Sequence, residues 1–368
     1  MSSKIRVGLL FGGRSCEHEV SVTSARSVLD AIDGAKYEVT MIGISKQGRW
    51  FLSDDSRRVL EAGVVAGDDL LPVALDYHPG AGTLIPQQGA TNAMPSRRLD
   101  VIFPLLHGPY GEDGTVQGLL ELADIAYVGS GVVGSAVGMD KEMAKRVFRA
   151  EGLPQTDYVA IRRARWREHP NDVLRDVTTH LPYPMFIKPA NLGSSVGVTK
   201  AHSEEQLRAG IEHASEFDYK LIVEAAIDNA HEIECSVLGN EDPEASVLGE
   251  IVPGNEFYDY RTKYIDDKSE LIIPAPLSSD ITAVVQGLAI KTFRAVEAAG
   301  LARVDFFVKR DNGKVFVNEI NTIPGFTPIS MYPKLWAASG VSYPELIDRL
   351  IRLALERHTE KNKTRTAL

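Results

Sequence analysis

Two short stretches of the chain bring together oxygen donors of the kind a hard divalent cation takes. Asp305 follows Arg303 in a run that reads as one strand, and Glu319 and Asn321, two residues apart, face one side of the next. Mg²⁺ binds such oxygens, keeps several of its waters and bridges substrate phosphates, so the set points to phosphate chemistry. Whether the donors share a face depends on the turn between them. A two-residue turn at Asn312-Gly313 would pair position 305 with 320 and put Asp305 on the wrong side. A three-residue turn over 311–313, with Gly313 left-handed, pairs 305 with 319 and is the arrangement expected. By spacing alone, a solvated acidic sheet face fits these residues as well.

Cationic groups and hydroxyls follow the same theme. Lys188 ends an otherwise apolar run, 185–188, where a buried ammonium is costly unless a phosphate or carboxylate meets it. The stretch Gly193-Ser-Ser-Val-Gly197 offers backbone N–H groups and hydroxyls to phosphate oxygens, though it is not the P-loop pattern and also reads as a hairpin turn. Lys141, in the first turn of a helix capped by Asp140, is either a phosphate ligand or an exposed charge. Glu224 closes an apolar strand and could accept from a ribose hydroxyl or merely cap an edge. Three tyrosines among charges at 258–264, inside the long polar stretch 254–274, suit a lid that folds onto a ligand, with surface adhesion as the alternative. Residues 324–330 place backbone N–H groups and the Ser330 hydroxyl beside the acidic strand, where they could meet a carboxylate or oxyanion, or form only a turn.

The elements that must hold these groups can be read along the chain. With 368 residues, two to three domains are expected. Hydrophobic and charged fractions of 44% and 24% exclude a disordered or fibrous chain. Forty basic against fifty acidic residues, 40 − 50 = −10, disfavour broad contact with nucleic acid or an anionic membrane. Cys16 and Cys235 are too few for a disulfide framework and lack metal spacing, which fits a reducing, cytoplasmic setting. No 18-residue apolar stretch occurs, and the short run 7–11 is followed by Gly12, Gly13, Arg14 and Glu17, unlike a signal peptide.

The opening 4–13 reads as a buried strand breaking into a glycine turn. A helix follows, with Val20, Ser24, Ser27, Val28 and Ala31 at helical spacing and Glu17 and Glu19 near its positive end, then a strand at 37–44. This is half of a nucleotide-binding fold, without the G-x-G-x-x-G of a dinucleotide site. Residues 54–98 read as an irregular surface excursion with no chemistry assigned. A strand at 99–106 ends in the loop 107–114, before a helix at 115–123, so Glu17 and His107 are expected in one crevice at the strand ends. A second unit has strands at 185–188, 196–200 and 220–224 and a helix at 203–214. The third has strands at 231–238, 246–253, 303–308 and 314–319 around a helix at 279–298.

Taken together, these residues resemble the ATP-grasp superfamily, and most closely its D-alanine:D-alanine ligases, over nearly the whole chain. The likeness is carried by Glu17-His-Glu-Val-Ser21, the loop His107-Gly-Pro-Tyr-Gly-Glu-Asp-Gly114, Met139-Asp-Lys141, Lys188-Pro189, Gly193 to Gly197, Tyr258-Asp-Tyr260, Lys263-Tyr264, Arg303-Val-Asp305 and 318–325. The resemblance implies an α/β protein of three domains. These are an N-terminal open α/β domain (1–139), a central α+β domain (140–230) and a C-terminal α+β domain with a large antiparallel sheet (231–368) that carries a lid at 254–274. It further implies a cytoplasmic homodimer that phosphorylates one D-alanine with ATP and joins it to a second.

By the same resemblance Lys141, Lys188 and, on the lid, Lys263 would bind phosphates with Ser194, Ser195 and Asn318. Glu224 and Glu232 would meet ribose and adenine, beside Ile227 and Ala225; Ala225 stands where part of the family has lysine, which leaves that contact to backbone groups. Asp305, Glu319 and Asn321 would hold two Mg²⁺ or Mn²⁺ ions, and a monovalent cation is a further activator to test. Glu17 would hold the first substrate's ammonium near His107, with Ser194 and Tyr264 fastening the loop around it. Arg303 and the Gly325 N–H would stabilise the oxyanion, and Ser330 and Met331 would hold the second substrate's carboxylate. A D-alanine:D-lactate or D-alanine:D-serine ligase is the closest rival, against which Tyr264 argues. A ligase for another acid would lack the combination of Glu17, His107 and Ser330, and a silent nucleotide-binding module would have lost Arg303 or a metal ligand.

Overall fold

The computed structural model describes residues 4–52, 60–66, 70–87, 97–252 and 270–365, arranged around three sheets. The first contains β1 (Ile5–Gly12), β2 (Tyr37–Ile44), β3 (Trp50–Leu52), β4 (Leu71–Leu75), β5 (Thr83–Pro86), β6 (Arg97–Arg98), β7 (Val101–Pro104) and β8 (Ala126–Tyr127), in the order β6-β5-β4-β3-β2-β1-β7-β8. β1 runs parallel to β2 and β7, and Val7, Leu9, Leu10 and Phe11 are buried, as a strand covered on both faces requires. Strands β3 to β6 add an antiparallel wing. The expectation of an irregular excursion over 54–98 is therefore corrected: short runs such as Leu71–Leu75 pair at the sheet edge, where few residues suffice.

Helix α1 (His18–Ala31) crosses this sheet and buries His18, Ser21, Val22, Ser24, Ala25 and Val28. Its inner stripe is thus centred on Ser21, Val22 and Ala25, while Val20, Ser27 and Ala31 lie at its margin. α2 (Thr115–Leu122) follows the loop 107–114, and α3 (Val132–Met139) leads into α4 (Lys141–Ala150), whose Asp140 cap accepts from Met143 N at 3.0 Å.

The second sheet comprises β9 (Tyr158–Arg162), β10 (Met185–Pro189), β11 (Thr199–Ala201) and β12 (Lys220–Ala225) in the order β11-β10-β12-β9. Helices α5 (Arg163–Glu168), α6 (Pro170–His180) and α7 (Glu204–Phe217) supply its core through Trp166, Val173, Val177, Leu207 and Ile211. β11 begins three residues later than the expected strand at 196, because Ser194, Ser195 and Gly197 all take left-handed φ values, of 50°, 57° and 72°.

The third sheet has β13 (Ala230–Gly239), β14 (Glu244–Val252), β15 (Glu270–Ile272), β16 (Gly300–Lys309) and β17 (Val315–Asn321) in the order β15-β14-β13-β16-β17, backed by α8 (Ser279–Ala295). Part of the expected lid is therefore a strand, since residues 270–272 pair with β14; residues 253–269, including Tyr258, Lys263 and Tyr264, lie outside the described residues. α9 (Met331–Ala338) and α10 (Tyr343–Lys361) end the chain. Leu346, Ile347, Leu350, Ile351 and Ala354 of α10 join Val7, Leu9, Val101 and Phe103 in one core, so the last helix packs on the first sheet.

The β16–β17 hairpin sets the acidic residues. Asp305 stands opposite Glu319, as expected, but the turn differs. Lys309 N donates to Lys314 O at 3.0 Å and Gly313 N to Lys309 O at 2.9 Å, so the loop has four residues, 310–313, with Gly313 left-handed at φ 67°. That loop alone would pair 305 with 318. A bulge between Val317 and Glu319 takes up Asn318 and restores the shared face.

Candidate active site

A cleft opens between the second and third sheets. Lys141, Lys188, Ser194 and Ser195 line it from one side with Asp305, Asn318 and Glu319 opposite; Glu224, Ala225, Ile227 and Glu232 line its deeper, more apolar part with Phe186, Ile251 and Phe307. Lys141 is aimed by its helix, whose first N–H bonds to Ala190 O at 3.0 Å. Its ammonium donates to Leu192 O at 2.7 Å and lies 3.5 Å from Glu319. Lys188 lies 3.4 Å from Glu224 and 3.5 Å from Asn318 Oδ1. These long contacts leave its ammonium able to exchange partners when an anion enters.

The acidic residues fit a hard cation. Asp305 and Glu319 are cross-strand neighbours, and Asn321 Nδ2 donates to Asp305 Oδ2 at 3.0 Å, so three oxygen-bearing side chains meet on one face. Arg303 forks onto Asp305, Nε to Oδ1 at 2.7 Å and Nη2 to Oδ2 at 2.8 Å, and its Nε lies 3.1 Å from Glu234. Burial works against the guanidinium charge, but Asp305 and Glu234 outweigh it and hold its pKa well above the ordinary value. The cation on β16 is therefore permanent and rigidly aimed.

Glu17 joins this cleft to the first sheet. It is 8% exposed, accepts a hydrogen bond from Ser194 Oγ, and is approached so closely that a Cβ at Gly108 or Gly193 would stand 3.0 Å from its Oε2. His107 is buried nearby, with Nδ1 3.0 Å from Ile323 O and Nε2 3.3 Å from Ser24 Oγ. Burial holds its pKa below the usual value, against the pull of Glu17. The Ile323 contact links the loop after β7 to the loop after β17, which carries Gly325 and Ser330. Ser330 Oγ accepts from Thr327 N at 3.1 Å and lies 2.8 Å from Thr327 Oγ1. Met331 turns its side chain into a small core with Ile251 and Leu335, so any part it takes in binding falls to its backbone.

Three residues without an assigned part on sequence grounds belong to this constellation. Glu112 accepts from Gly108 N at 2.7 Å, and burial, helped by the Glu17 charge, pushes its carboxyl up to about 8. Glu234 pairs with Arg303, and Lys145 is buried against Glu224. Lys145 had a signal in its spacing, four residues after Lys141 on one helix face. Glu234 had one in strand alternation with Glu232.

Three sheets with a lysine-lined cleft facing an oxygen-donor hairpin define an ATP-grasp enzyme. Residues 6–130 match the family described as D-ala D-ala ligase N-terminus, and residues 147–352 the one described as D-ala D-ala ligase C-terminus. The chain is 49% identical over 359 residues to the D-alanine--D-alanine ligase of Thermoanaerobacter sp. (strain X514), which covers 97% of this chain and 98% of that protein. The D-alanine-D-alanine ligase from Coxiella burnetii superposes with a TM-score of 0.84 at 37% identity, covering 98% of this chain and 97% of that one. The VanG D-Ala:D-Ser ligase from Enterococcus faecalis gives 0.85 at 33% identity, with 96% and 100% covered. The chain belongs to the D-Ala–D-Ala ligase family.

Proposed function

We propose that the protein joins two molecules of D-alanine into D-alanyl-D-alanine at the expense of ATP, a step in making peptidoglycan precursors. The observation that carries this reading is the hydrogen bond from Ser194 to Glu17, because it makes the phosphate-side loop and a buried anionic anchor for an ammonium parts of one site. Enzymes of this family use ATP and a divalent metal. The assignment of D-alanyl-D-alanine rather than a D-serine or D-lactate product rests on curated relatives near half identity that carry the D-alanine--D-alanine ligase name.

In this reading Glu17, beside His107, holds the ammonium of the first D-alanine, and a carboxylate oxygen of that D-alanine attacks the γ-phosphorus as ADP leaves. The amine of the second D-alanine attacks the acyl phosphate carbon; phosphate departs and a proton is released. Lys141, Lys188, Lys263, Ser194, Ser195 and Asn318 hold the phosphates, and Glu224, Ala225, Ile227 and Glu232 hold the nucleoside. Asp305, Glu319 and Asn321 hold two Mg²⁺ or Mn²⁺ ions, which supply charge neutralisation to the phosphates when bound. Arg303 and the Gly325 N–H stabilise the oxyanion, Ser330 with the Met331 backbone holds the second carboxylate, and Tyr264 fastens the lid so that water is excluded. The division into units at 1–139, 140–230 and 231–368, a homodimer, a cytoplasmic setting and activation by a monovalent cation belong to the same proposal. Among the described residues no helix is long and apolar enough to cross a membrane.

Phosphate release is the direct test, measured with ATP and Mg²⁺ in the presence of D-alanine, L-alanine, D-alanine with D-serine, or D-alanine with D-lactate, with products identified by mass. Release with D-alanine and not L-alanine, and D-alanyl-D-alanine as the main product, is expected; a mixed dipeptide as main product would move the protein to the D-alanine:D-serine reading and a depsipeptide to the D-alanine:D-lactate reading. Replacing Ser194 with alanine should raise KM for D-alanine by about tenfold, the worth of one charge-assisted hydrogen bond, and KM for ATP by less. Equal changes in both constants would detach Ser194 from the substrate anchor.

A further inference from the structure

The loop between β17 and α9 closes on itself through Thr327 and Ser330. Ser330 N donates to Thr327 O at 2.9 Å, Thr327 N donates to Ser330 Oγ at 3.1 Å, and the two hydroxyl oxygens lie 2.8 Å apart. Ser330 is the N-cap residue of α9, where a serine normally accepts from the N–H two or three residues on, yet it makes no such bond; the third position is Pro333, which has no N–H. Its hydroxyl is turned back to Thr327 instead. Phe326, 1% exposed, roots the loop in the core shared by β1, β7 and α10, and Tyr343 Oη donates to its carbonyl at 2.6 Å. Ser330 Oγ also lies against Gly325, where a Cβ would stand 3.1 Å away. Thr327 is buried and Ser330 half-buried, so of the two hydroxyls that of Ser330 is the one open to a ligand.

A hydroxyl has one proton to give and two lone pairs to fill. Ser330 Oγ already accepts from Thr327 N, and a carboxylate, which only accepts, requires its proton. We propose that Thr327 is a positioning residue for the second substrate: its hydroxyl donates to Ser330 Oγ, fills the remaining lone pair and leaves the Ser330 proton directed outward at the carboxylate of the incoming D-alanine. This rests on reading Ser330 as the contact for that carboxylate. The opposite polarity, with Ser330 donating to Thr327 Oγ1, would use the proton inside the turn and present a lone pair to an anion. A hydrogen-bond chain that ends on a charge is also polarised along its length, so the Thr327 link strengthens the outer one. Thr327 touches neither reacting group in this arrangement, and its effect falls on binding of the second substrate rather than on the chemical step.

The test is the initial rate over a wide range of D-alanine at saturating ATP and Mg²⁺, which yields one KM for each D-alanine site, together with KM for ATP at saturating D-alanine. Ser330→Ala identifies the second-site constant as the one it raises, by more than about tenfold for a lost hydrogen bond to a charge. Thr327→Val keeps the shape and the backbone N–H but loses the hydroxyl. It should raise that same constant about fivefold and leave kcat, the other D-alanine constant and KM for ATP within about twofold. Thr327→Ser should restore the wild-type constant, and Thr327→Val should add nothing in the Ser330→Ala background. Thr327→Ala, compared with Thr327→Ser, carries the same test if the valine variant does not fold. A second-site constant that Ser330→Ala raises and neither Thr327→Val nor Thr327→Ala moves overturns the proposal alone. Equal changes in all three constants, or a serine variant that restores nothing, mark a packing role for Thr327 and overturn it as well. A Ser330→Ala protein with both D-alanine constants unaltered overturns the Ser330 reading and the proposal with it.

Discussion

Replacing Arg303 with alanine is expected to lower kcat by about three orders of magnitude while nucleotide affinity stays within a few fold, the pattern of a group that acts on charge developing in the transition state. The geometry supports the size of the effect. Arg303 is forked onto Asp305 and touches Glu234, so its guanidinium is fixed before any substrate arrives and needs no reorganisation. The same contacts predict a second consequence. Alanine leaves two carboxylates without their cation in a largely buried place, and stability should fall by about 3 kcal/mol. Single-turnover rates, ADP titration and thermal melts separate the two effects. Arg303→Lys keeps one charge but loses the fork, and should recover stability more than rate. A fully active Arg303→Ala protein would remove this residue from the oxyanion assignment.

Neutralising Glu319 should produce the second largest loss. Glu319→Gln is expected to lower kcat by about two to three orders of magnitude and to raise the Mg²⁺ concentration for half-maximal rate by more than about tenfold, since one anionic ligand is removed from a hard-cation site. It also removes the carboxylate 3.5 Å from Lys141, which changes the phosphate side of the cleft less than the metal side because Lys141 keeps its bond to Leu192 O. Asp305→Asn should be the more damaging variant for stability, because it breaks the Arg303 fork as well as removing a donor. Metal titrations of the phosphate-release rate decide the matter. A Glu319→Gln protein with unchanged metal dependence would leave Asp305 and Asn321 without their proposed partner.

Local pattern was enough for most elements and for the chemical types in the site. The apolar run ending at Lys188, the cap at Asp140 and the alternation through Glu319 and Asn321 each announce a strand or helix and the side it presents, because periodicity and caps are short-range properties. The order of motifs from Glu17 to Gly325 announced the family. The hairpin shows where such reading stops. The pairing of Asp305 with Glu319 could be anticipated, but it comes from a four-residue turn plus a bulge at Asn318, two errors of register that cancel. The wing of β4 to β6 was missed because its strands are too short to show a period, and they owe their structure to the edge of a sheet already formed.

By itself the sequence determined which side chains are available: lysines, hydroxyls, hard oxygens and one arginine, in an order along the chain that resembles this family. Tertiary structure alone decided which of them meet. It put Ser194, in the turn between β10 and β11, on Glu17, at the start of α1 and 177 residues away in the chain. It brought α10 back onto β1 and β7, and hid Lys145 behind Glu224. The physical reason is that burial and ion pairing depend on contacts between distant segments, and the energy of a charge is set by what surrounds it after folding rather than by its neighbours in the chain.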